Sequence, residues 1–117
     1  MPDNKRDADT LIEKTRAYVD ASNGHDIARI ATMLAEDAVY LSTGVGRHDG
    51  SAAILDMNKD FFSANPDVHW ETANYRAIET DGVVFDFVIS YGGTSGPGVE
   101  RVYFDARGQI NRVEVER

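Results

Sequence analysis

Residues 16–40, RAYVDASNGHDIARIATMLAEDAVY, decide the fold of this chain. A helix that carries Tyr18 runs into the turn NGHD at residues 23–26, where the Asn-Gly pair predicts the helix end. Asp26 is a suitable N-cap for a second short helix, because its carboxylate can accept a hydrogen bond from a free backbone N–H. The segment AEDAVY at residues 35–40 then leads into a strand. This order places a helix tyrosine close to a strand end in a small domain.

The segments on either side complete a pattern of helices followed by strands. The sequence TLIE at residues 10–13 fits a capping box, which predicts a helix start there after a polar tail at residues 1–8. A third helix is predicted to begin near Ser51 and to close at the Asn-Pro pair 65–66. The other predicted elements are loops 44–50 and 92–98 and strands 39–43, 68–80, 83–91, 99–105 and 110–116. This order predicts one α+β domain over residues 9–117.

The predicted strand at residues 83–91 is apolar on both faces. Phe85 and Phe87 share one face by alternation, whereas Val84 and Val88 share the other. The helices can cover only one face of the sheet, so the second apolar face must meet something else. A second copy of the chain is the simplest candidate, which predicts a homodimer.

Composition narrows the class of protein. A chain of 117 residues with 42% hydrophobic residues is long enough for one core. The absence of cysteine excludes disulfides, thiolate nucleophiles and Cys-type zinc sites. The three histidines are far apart in sequence, and the glycines at positions 44, 46 and 50 do not have the spacing of a dinucleotide-binding loop. We therefore expect neither a metal nor a cofactor.

Charge and hydropathy indicate which partners and which cellular location to expect. Twenty acidic residues against 12 Lys and Arg give a net charge of -8, which disfavours a nucleic-acid partner because phosphate backbones are repelled. The polar N-terminal residues 1–7 contain no apolar core of a signal peptide, and the apolar runs are too short for a membrane span. We expect a cytoplasmic protein without a membrane partner.

Three helices, the NGHD turn, the AEDAVY segment and the strands that follow resemble the nuclear-transport-factor-2-like superfamily, which includes the SnoaL-like polyketide cyclases and the ketosteroid isomerases. The resemblance covers roughly residues 10–116. It implies a cone-shaped α+β barrel, in which three N-terminal helices pack on a curved mixed or antiparallel sheet. It also implies a pocket for a small apolar molecule between the helices and the concave sheet, and commonly a homodimer.

Ketosteroid isomerase is the nearest catalytic template, and the handling of protons in that enzyme requires three groups. A carboxylate base moves a proton beside a carbonyl, while a tyrosine and a neutral carboxylic acid donate hydrogen bonds to the enolate oxygen. The resemblance places the tyrosine at Tyr18 and the acid at Glu100, where the family has Asp. It places the base at Ser42, whose hydroxyl is not a competent general base without a neighbour that takes its proton. The usual base is therefore missing.

Each candidate also has a structural interpretation. Tyr18 fits a core tyrosine as well as an oxyanion donor. Glu100 fits a solvated strand residue, although the apolar side chains of matching parity at positions 102 and 104 favour an inward carboxyl. Histidine is a common general base, so His69 could replace the missing base, or it could be an ordinary strand histidine. Alternation around His69 is ambiguous, and a β-bulge could switch the facing side chains.

Two functions follow from these candidates. One is an isomerase, cyclase or dehydratase that acts on an apolar carbonyl compound, with Tyr18 and Glu100 at the oxyanion and His69 or a water at Ser42 handling the proton. The alternative is a non-catalytic ligand-binding or dimerisation domain. The loop at residues 92–98 is expected at the rim of the pocket. The expected lining residues are Tyr40, Ser42, Trp70, Phe87, Ile89, Val102 and Val113.

Overall fold

The computed structural model describes residues 4–117, which form three helices and six strands. The first helix carries the buried Tyr18 and is followed directly by a short second helix. No helix within the described residues is long and apolar enough to cross a bilayer. The elements are α1 (Asn4–Asn23), α2 (Ile27–Met33), β1 (Leu34–Ser42), β2 (Gly46–Asp49), α3 (Ser51–Ala64), β3 (His69–Ile78), β4 (Gly82–Tyr91), β5 (Thr94–Phe104) and β6 (Ile110–Glu116).

The six strands form one mixed sheet in the order β2-β1-β6-β5-β4-β3. β1 and β6 are parallel, and the other neighbours are antiparallel. α1 packs on β3 and β4, α3 packs on β1 and β2, and α2 lies between the two longer helices. The expected cone-like α+β fold is therefore confirmed, with the sheet left open at β2 and β3.

The NGHD turn ties the end of α1 to β3. The Asn23 side chain accepts a hydrogen bond from Trp70 N at 2.8 Å and donates one to Trp70 O at 2.9 Å. Asp26 caps α2 as predicted, since its carboxylate accepts a hydrogen bond from Arg29 N at 3.1 Å. The His25 ring stacks on Phe62 of α3 at 4.4 Å between ring centroids. The turn therefore holds three elements around one end of the core.

Several predicted boundaries are wrong. The first helix begins at Asn4 rather than at residue 10, so residues 4–8 of the predicted tail are helical, and residues 1–3 lie outside the described part. Gly46–Asp49 forms β2, which pairs with β1 in register, and β5 begins at Thr94, so the predicted loop at residues 92–98 shrinks to a glycine pair. Glycine-rich segments have low strand propensity, and here the neighbouring strand supplies the pairing that local sequence does not indicate.

A β-bulge in β3 fixes which side chains face the helices. The register with β4 shifts between Ala73 and Arg76, and Asn74 has a positive φ of 61°. After the bulge, Tyr75 faces inward and stacks on Phe85 of β4 at 4.9 Å between ring centroids. Before it, Trp70 takes the inward position. The bulge therefore resolves the alternation that was ambiguous in the sequence.

Candidate functional site

Two small adjacent cavities lie between the helices and the inner face of the sheet. The inner chamber has a volume of about 30 Å³ and the outer chamber about 40 Å³. Tyr40, Asn58 and Trp70 line both chambers and so form the wall between them. The other residues of the inner chamber are Tyr18, Val19, Ser22, Phe62, Phe85 and Glu100. The other residues of the outer chamber are Ser42, Gly44, Val45, Met57, Phe61, Phe87, Ile89, Val115 and Arg117.

The inner chamber brings Tyr18 and Glu100 together. Tyr18 projects from the buried face of α1 and is 5% exposed, and Glu100 projects from β5 and is 7% exposed. Glu100 lies directly opposite Phe85 of β4 in the register, so the two side chains share the inner face. Both candidates for the oxyanion site therefore line one cavity in the core, as the resemblance implies.

Burial keeps the acidic groups of the inner chamber protonated. Desolvation raises the pKa of Glu100 to about 8, so this carboxyl is mostly neutral at pH 7. No Lys or Arg of the described residues forms an ion pair with it. Burial, followed by the Glu100 charge, also raises the pKa of Tyr18 and that of Tyr40. All three groups therefore present O–H donors at neutral pH.

The backbone engages the hydroxyl of Ser42, the residue that the resemblance assigns to the base position. Ser42 lines the outer chamber and pairs with Val115, which in turn pairs with Glu100, so the two template positions lie in one row across the sheet. Its hydroxyl oxygen accepts hydrogen bonds from Gly44 N at 3.0 Å and Val45 N at 3.3 Å. The oxygen that would take a proton is already used to close the turn after β1.

The structure does not bring His69 to the site. His69 is exposed, pairs with Ser90 and lines neither chamber. Trp70, the next residue, faces inward because side chains alternate along a strand and the bulge comes only at Asn74. The assignment of His69 as a replacement base is therefore corrected.

The predicted lining residues divide into two groups. Tyr40, Ser42, Trp70, Phe87 and Ile89 line the outer chamber, as expected. Val102 and Val113 do not line either chamber. They are fully buried and pair with each other across β5 and β6, where close packing leaves no space beside them. The cavity is therefore shorter along the sheet than the sequence indicated.

Two site residues were missed in the sequence. Asn58 on α3 is 8% exposed and lines both chambers, and its Nδ2 atom has no hydrogen-bond partner. The signal was present, since Asn58 is a polar residue among the apolar side chains of one helix face. Arg117 lies at the outer chamber, where its Nη2 donates to the Tyr91 hydroxyl at 3.2 Å. An isolated arginine beside β6 gives no comparable signal.

The chemistry available in the two chambers is hydrogen-bond donation to an oxygen. Tyr18, Tyr40 and Glu100 supply O–H donors, and Asn58 supplies N–H donors. Within residues 8–117, whose side chains the structure describes, no three His, Asp or Glu side chains converge in the manner of a metal site. An oxygen acceptor on an apolar molecule would therefore match both the donors and the aromatic and aliphatic walls of the chambers.

The fold is similar to those of solved structures with low sequence identity. A SnoaL-like protein of unknown function from Burkholderia thailandensis gives a TM-score of 0.79 at 20% identity, covering 97% of this chain and 97% of that chain. A proposed polyketide cyclase from Sinorhizobium meliloti gives 0.78 at 23% identity, covering 88% and 93%. A proposed ketosteroid isomerase from Kribbella flavida gives 0.83 at 22% identity, covering 94% and 78%. At such identities, the likeness establishes the fold alone.

Sequence comparison gives the family. No curated protein is similar enough in sequence to count as a relative of this chain. The model of the SnoaL-like domain matches residues 15–113, which include Tyr18, Asn58 and Glu100. This match covers most of the chain and confirms the resemblance that the NGHD turn and the AEDAVY segment carry. The chain therefore belongs to the SnoaL-like domain family.

Proposed function

We propose that the protein binds a small apolar carbonyl compound between the helices and the sheet, and that Tyr18 and Glu100 donate hydrogen bonds to the carbonyl oxygen. The reaction that this arrangement serves is an isomerisation, cyclisation or dehydration in which negative charge develops on that oxygen. Donors fixed in a water-poor site stabilise such charge more strongly than water does. The aromatic and aliphatic walls of the two chambers would hold the apolar body of the ligand.

One observation carries this proposal. Glu100 is a buried carboxyl without an ion-pair partner in the described residues, beside a buried tyrosine on the same chamber. A buried acid is costly unless it is neutral or paired. With a pKa of about 8, Glu100 is a neutral donor at pH 7. If position 100 served only the packing of the core, an apolar side chain would be expected there.

A water at Ser42 is the proposed proton acceptor. The Ser42 oxygen already accepts two backbone N–H groups, so its own proton can be donated to a water in the outer chamber. A chamber of about 40 Å³ has room for such a water. A water is a weak base, which restricts the reaction to substrates whose C–H bond is already acidified by the polarised carbonyl.

Ligand entry requires the two chambers to merge. Small-molecule sites generally enclose about 300 Å³ or more, far above the combined volume of the chambers. The wall between the chambers consists of the side chains of Tyr40, Asn58 and Trp70. Side-chain rotation at these positions would therefore join the chambers while the strands stay in place.

Turnover of model enones by wild type and Tyr18→Phe tests the proposal. Removal of one oxyanion donor typically costs about 10²–10³-fold in kcat, so Tyr18→Phe should lose activity by that order. Tyr103→Phe is the matched control, since Tyr103 lies on β5 with odd parity, on the face opposite Glu100, and lines neither chamber. Equal rates for wild type and Tyr18→Phe would overturn the catalytic role.

A non-catalytic binding domain is the second candidate, favoured by the serine at the base position and the small chambers. Trp70 is the one tryptophan of the sequence and lines both chambers, so its fluorescence reports occupancy. A ketone that changes this fluorescence saturably, with no conversion of any enone, would support binding alone. Conversion that Tyr18→Phe abolishes would instead support the enzyme.

We also propose that the chain forms a homodimer through the outer face of the sheet. Val88 is 46% exposed there and lines a groove of about 740 Å³ together with Pro97 and Val99. Glu116 and Arg117 also line the groove, so both signs of charge are present for contact with an identical surface. Light scattering at micromolar concentration should give the mass of a dimer, and Val88→Lys should give a monomer. A monomeric wild type would contradict this proposal.

Two expectations rest on the sequence alone. The cytoplasmic location follows from the polar residues at positions 1–7, and the lack of a nucleic-acid partner follows from the net charge of -8. Both stay predictions. Localisation of a tagged chain in its host and a gel-shift assay with single- and double-stranded DNA would check them.

A further inference from the structure

The amide of Asn58 has no function in the fold. It projects from α3 into the wall shared by both chambers, where Nδ2 is buried without a hydrogen-bond partner. Nearly all buried donors in folded proteins are paired, because an unpaired one loses its hydrogen bonds to water without replacement. Among the fully buried side-chain nitrogen and oxygen atoms of the described residues, this Nδ2 is the one without a hydrogen-bond partner.

Asn23 shows how the same side chain behaves when it has a structural function. Its amide donates to Trp70 O and its carbonyl accepts from Trp70 N, so both ends of the side chain are used. Asn58 stands instead among Ile54, Phe61 and Phe62 on its helix, where an apolar residue would complete the packing. The fold therefore keeps at position 58 a donor that it does not use.

We propose that Asn58 is a further ligand-binding residue, whose Nδ2 donates a hydrogen bond to a second oxygen of the ligand. The proposal rests on the proposed function, in which Tyr18 and Glu100 hold the first oxygen in the inner chamber. A ligand that extends from the inner to the outer chamber passes Asn58 in their common wall. Its chemical class is therefore an apolar carbonyl compound with a second oxygen acceptor, such as an ether or another carbonyl, farther along its body.

The donor set supports this class over an ammonium-bearing or purely hydrocarbon ligand. Tyr18, Glu100 and Asn58 all present hydrogens to the cavity, and no ionised carboxylate lines the inner chamber at neutral pH. A cationic ligand would find no ionised carboxylate in the inner chamber to balance its charge. A hydrocarbon would leave Nδ2 of Asn58 unpaired after it had displaced solvent from the chambers.

Binding of 1-indanone and its four ring-methoxy isomers tests the proposal. The methoxy oxygen is an acceptor without a proton, and the isomers place it at four positions around the same ketone. NMR titration should show that wild type binds at least one isomer about 5–10-fold more tightly than 1-indanone, the gain of one hydrogen bond. Asn58→Leu should lose this preference, so that the isomer and 1-indanone bind this variant with affinities equal within about twofold.

The outcomes separate this proposal from the function on which it rests. Tyr18→Phe should weaken all five ketones by the same factor, because they share the first oxygen. If that variant has no effect while Asn58→Leu removes the isomer preference, the proposed function fails and the role of Asn58 stands. If Asn58→Leu weakens all five ketones equally, or wild type shows no preference, the role of Asn58 is overturned.

Thermal unfolding gives a second readout that does not depend on any ligand. Leucine has the same number of side-chain heavy atoms as asparagine, with two methyl groups in place of the amide oxygen and nitrogen, so it fits the site without a large change in shape. We expect Asn58→Leu to keep or raise the Tm, whereas the matched control Asn23→Leu should lower it by about 5 °C or more because it breaks two hydrogen bonds. If the Tm of Asn58→Leu fell as much as that of Asn23→Leu, Asn58 would have a structural function, and the proposal would be overturned.

Discussion

Glu100 on β5 and Asp86 on β4 are close neighbours in the sheet, yet they face opposite sides of it. Asp86 pairs in register with Val99, the residue before Glu100. On the outer face, Asp86 accepts a hydrogen bond from Asn74 Nδ2 at 2.8 Å and lies 4.0 Å from an Arg76 nitrogen. On the inner face, Glu100 has no such cation and is 7% exposed.

The difference in burial and pairing between these two acids distinguishes an exposed surface residue from a buried residue of the candidate site. A half-exposed carboxylate with a nearby cation stays charged and contributes little to stability. A buried carboxyl without one becomes neutral, and it remains in the core at a cost in stability that packing does not require. The proposed chemistry therefore belongs to the inner face of the sheet, and the proposed dimer contact belongs to the outer face. Substitutions on the two faces should differ accordingly.

The largest expected effect is the loss of pH dependence in Glu100→Gln. The folded pKa of about 8 lies above the ordinary value of 4.5, so between these pH values the folded state holds a proton that the unfolded state releases. The free energy of unfolding of wild type should therefore fall as pH rises from about 4.5 to about 8, by on the order of 5 kcal/mol. Glutamine cannot titrate, so the variant should lack this slope.

Urea unfolding at about pH 5, 7 and 8.5 measures that difference. The two proteins should be similarly stable at the lowest pH, and Glu100→Gln should be the more stable one at the highest. Glu116→Gln is the matched control, because Glu116 is 63% exposed and lies 3.3 Å from an Arg101 nitrogen on the outer face. If the free energies of unfolding of wild type and Glu100→Gln changed with pH in parallel, Glu100 would not be a neutral buried acid.

Truncation of an apolar side chain should also depend strongly on the face. Phe85 is 1% exposed and stacks on Tyr75, so Phe85→Ala should lower the free energy of unfolding by about 3–5 kcal/mol. Val88 lies on the same strand with the opposite parity, and Val88→Ala should cost less than about 1 kcal/mol in the monomer. Urea unfolding at low protein concentration measures both variants. If Phe85→Ala and Val88→Ala lost similar free energies of unfolding, the assignment of the inner and outer faces would be wrong.

A smaller effect is expected where a glycine lets an aromatic ring approach β5. A Cβ at Gly98 would lie 2.2 Å from Phe87 Cζ and 2.7 Å from Glu116 O, so Gly98→Ala forces the ring to move. Such overpacking typically costs about 1–3 kcal/mol. Because Phe87 lines the outer chamber, its displacement should also change the Trp70 fluorescence.

Gly96→Ala is the matched control for this prediction. Gly96 lies two positions away on the same strand, and a Cβ there would meet nothing within 4 Å. Its substitution should therefore change the free energy of unfolding by less than about 0.5 kcal/mol. If both alanine variants were equally stable, the close approach of Phe87 to Gly98 would not exist in solution.

The sequence was sufficient for the fold and for the inward positions of two candidate site residues, Tyr18 and Glu100. The NGHD turn and the order of elements identified the family, and alternation with apolar residues at positions 102 and 104 placed Glu100 inward. Tyr18 followed from the apolar face of its helix. These features depend on local periodicity, which a sequence displays directly.

The features that the sequence did not predict depend on strand pairing and packing, which local patterning does not display. β2 forms because Gly46–Asp49 meets β1, and His69 faces outward because the bulge comes only at Asn74. The unpaired state of Asn58 is likewise set by what surrounds α3 in space. Nor does any sequence pattern reveal that Val102 and Val113 pack too closely to line a cavity.

The smallest expected effect is that of Asp86→Asn in the monomer, measured at low protein concentration so that no second copy of the chain covers the outer face. Asparagine can still accept the hydrogen bond from Asn74, so the substitution removes only the exposed charge pair with Arg76. Such a pair contributes about 0.5 kcal/mol and is screened by salt. The change in the free energy of unfolding should therefore be of that size in dilute buffer and vanish in about 1 M NaCl. A loss of several kcal/mol that persists in high salt would mean that the pair is desolvated in solution, because buried charges depend far more on their partners. That result would break the comparison of the two acids as stated, because Asp86 would then be desolvated in the monomer as Glu100 is.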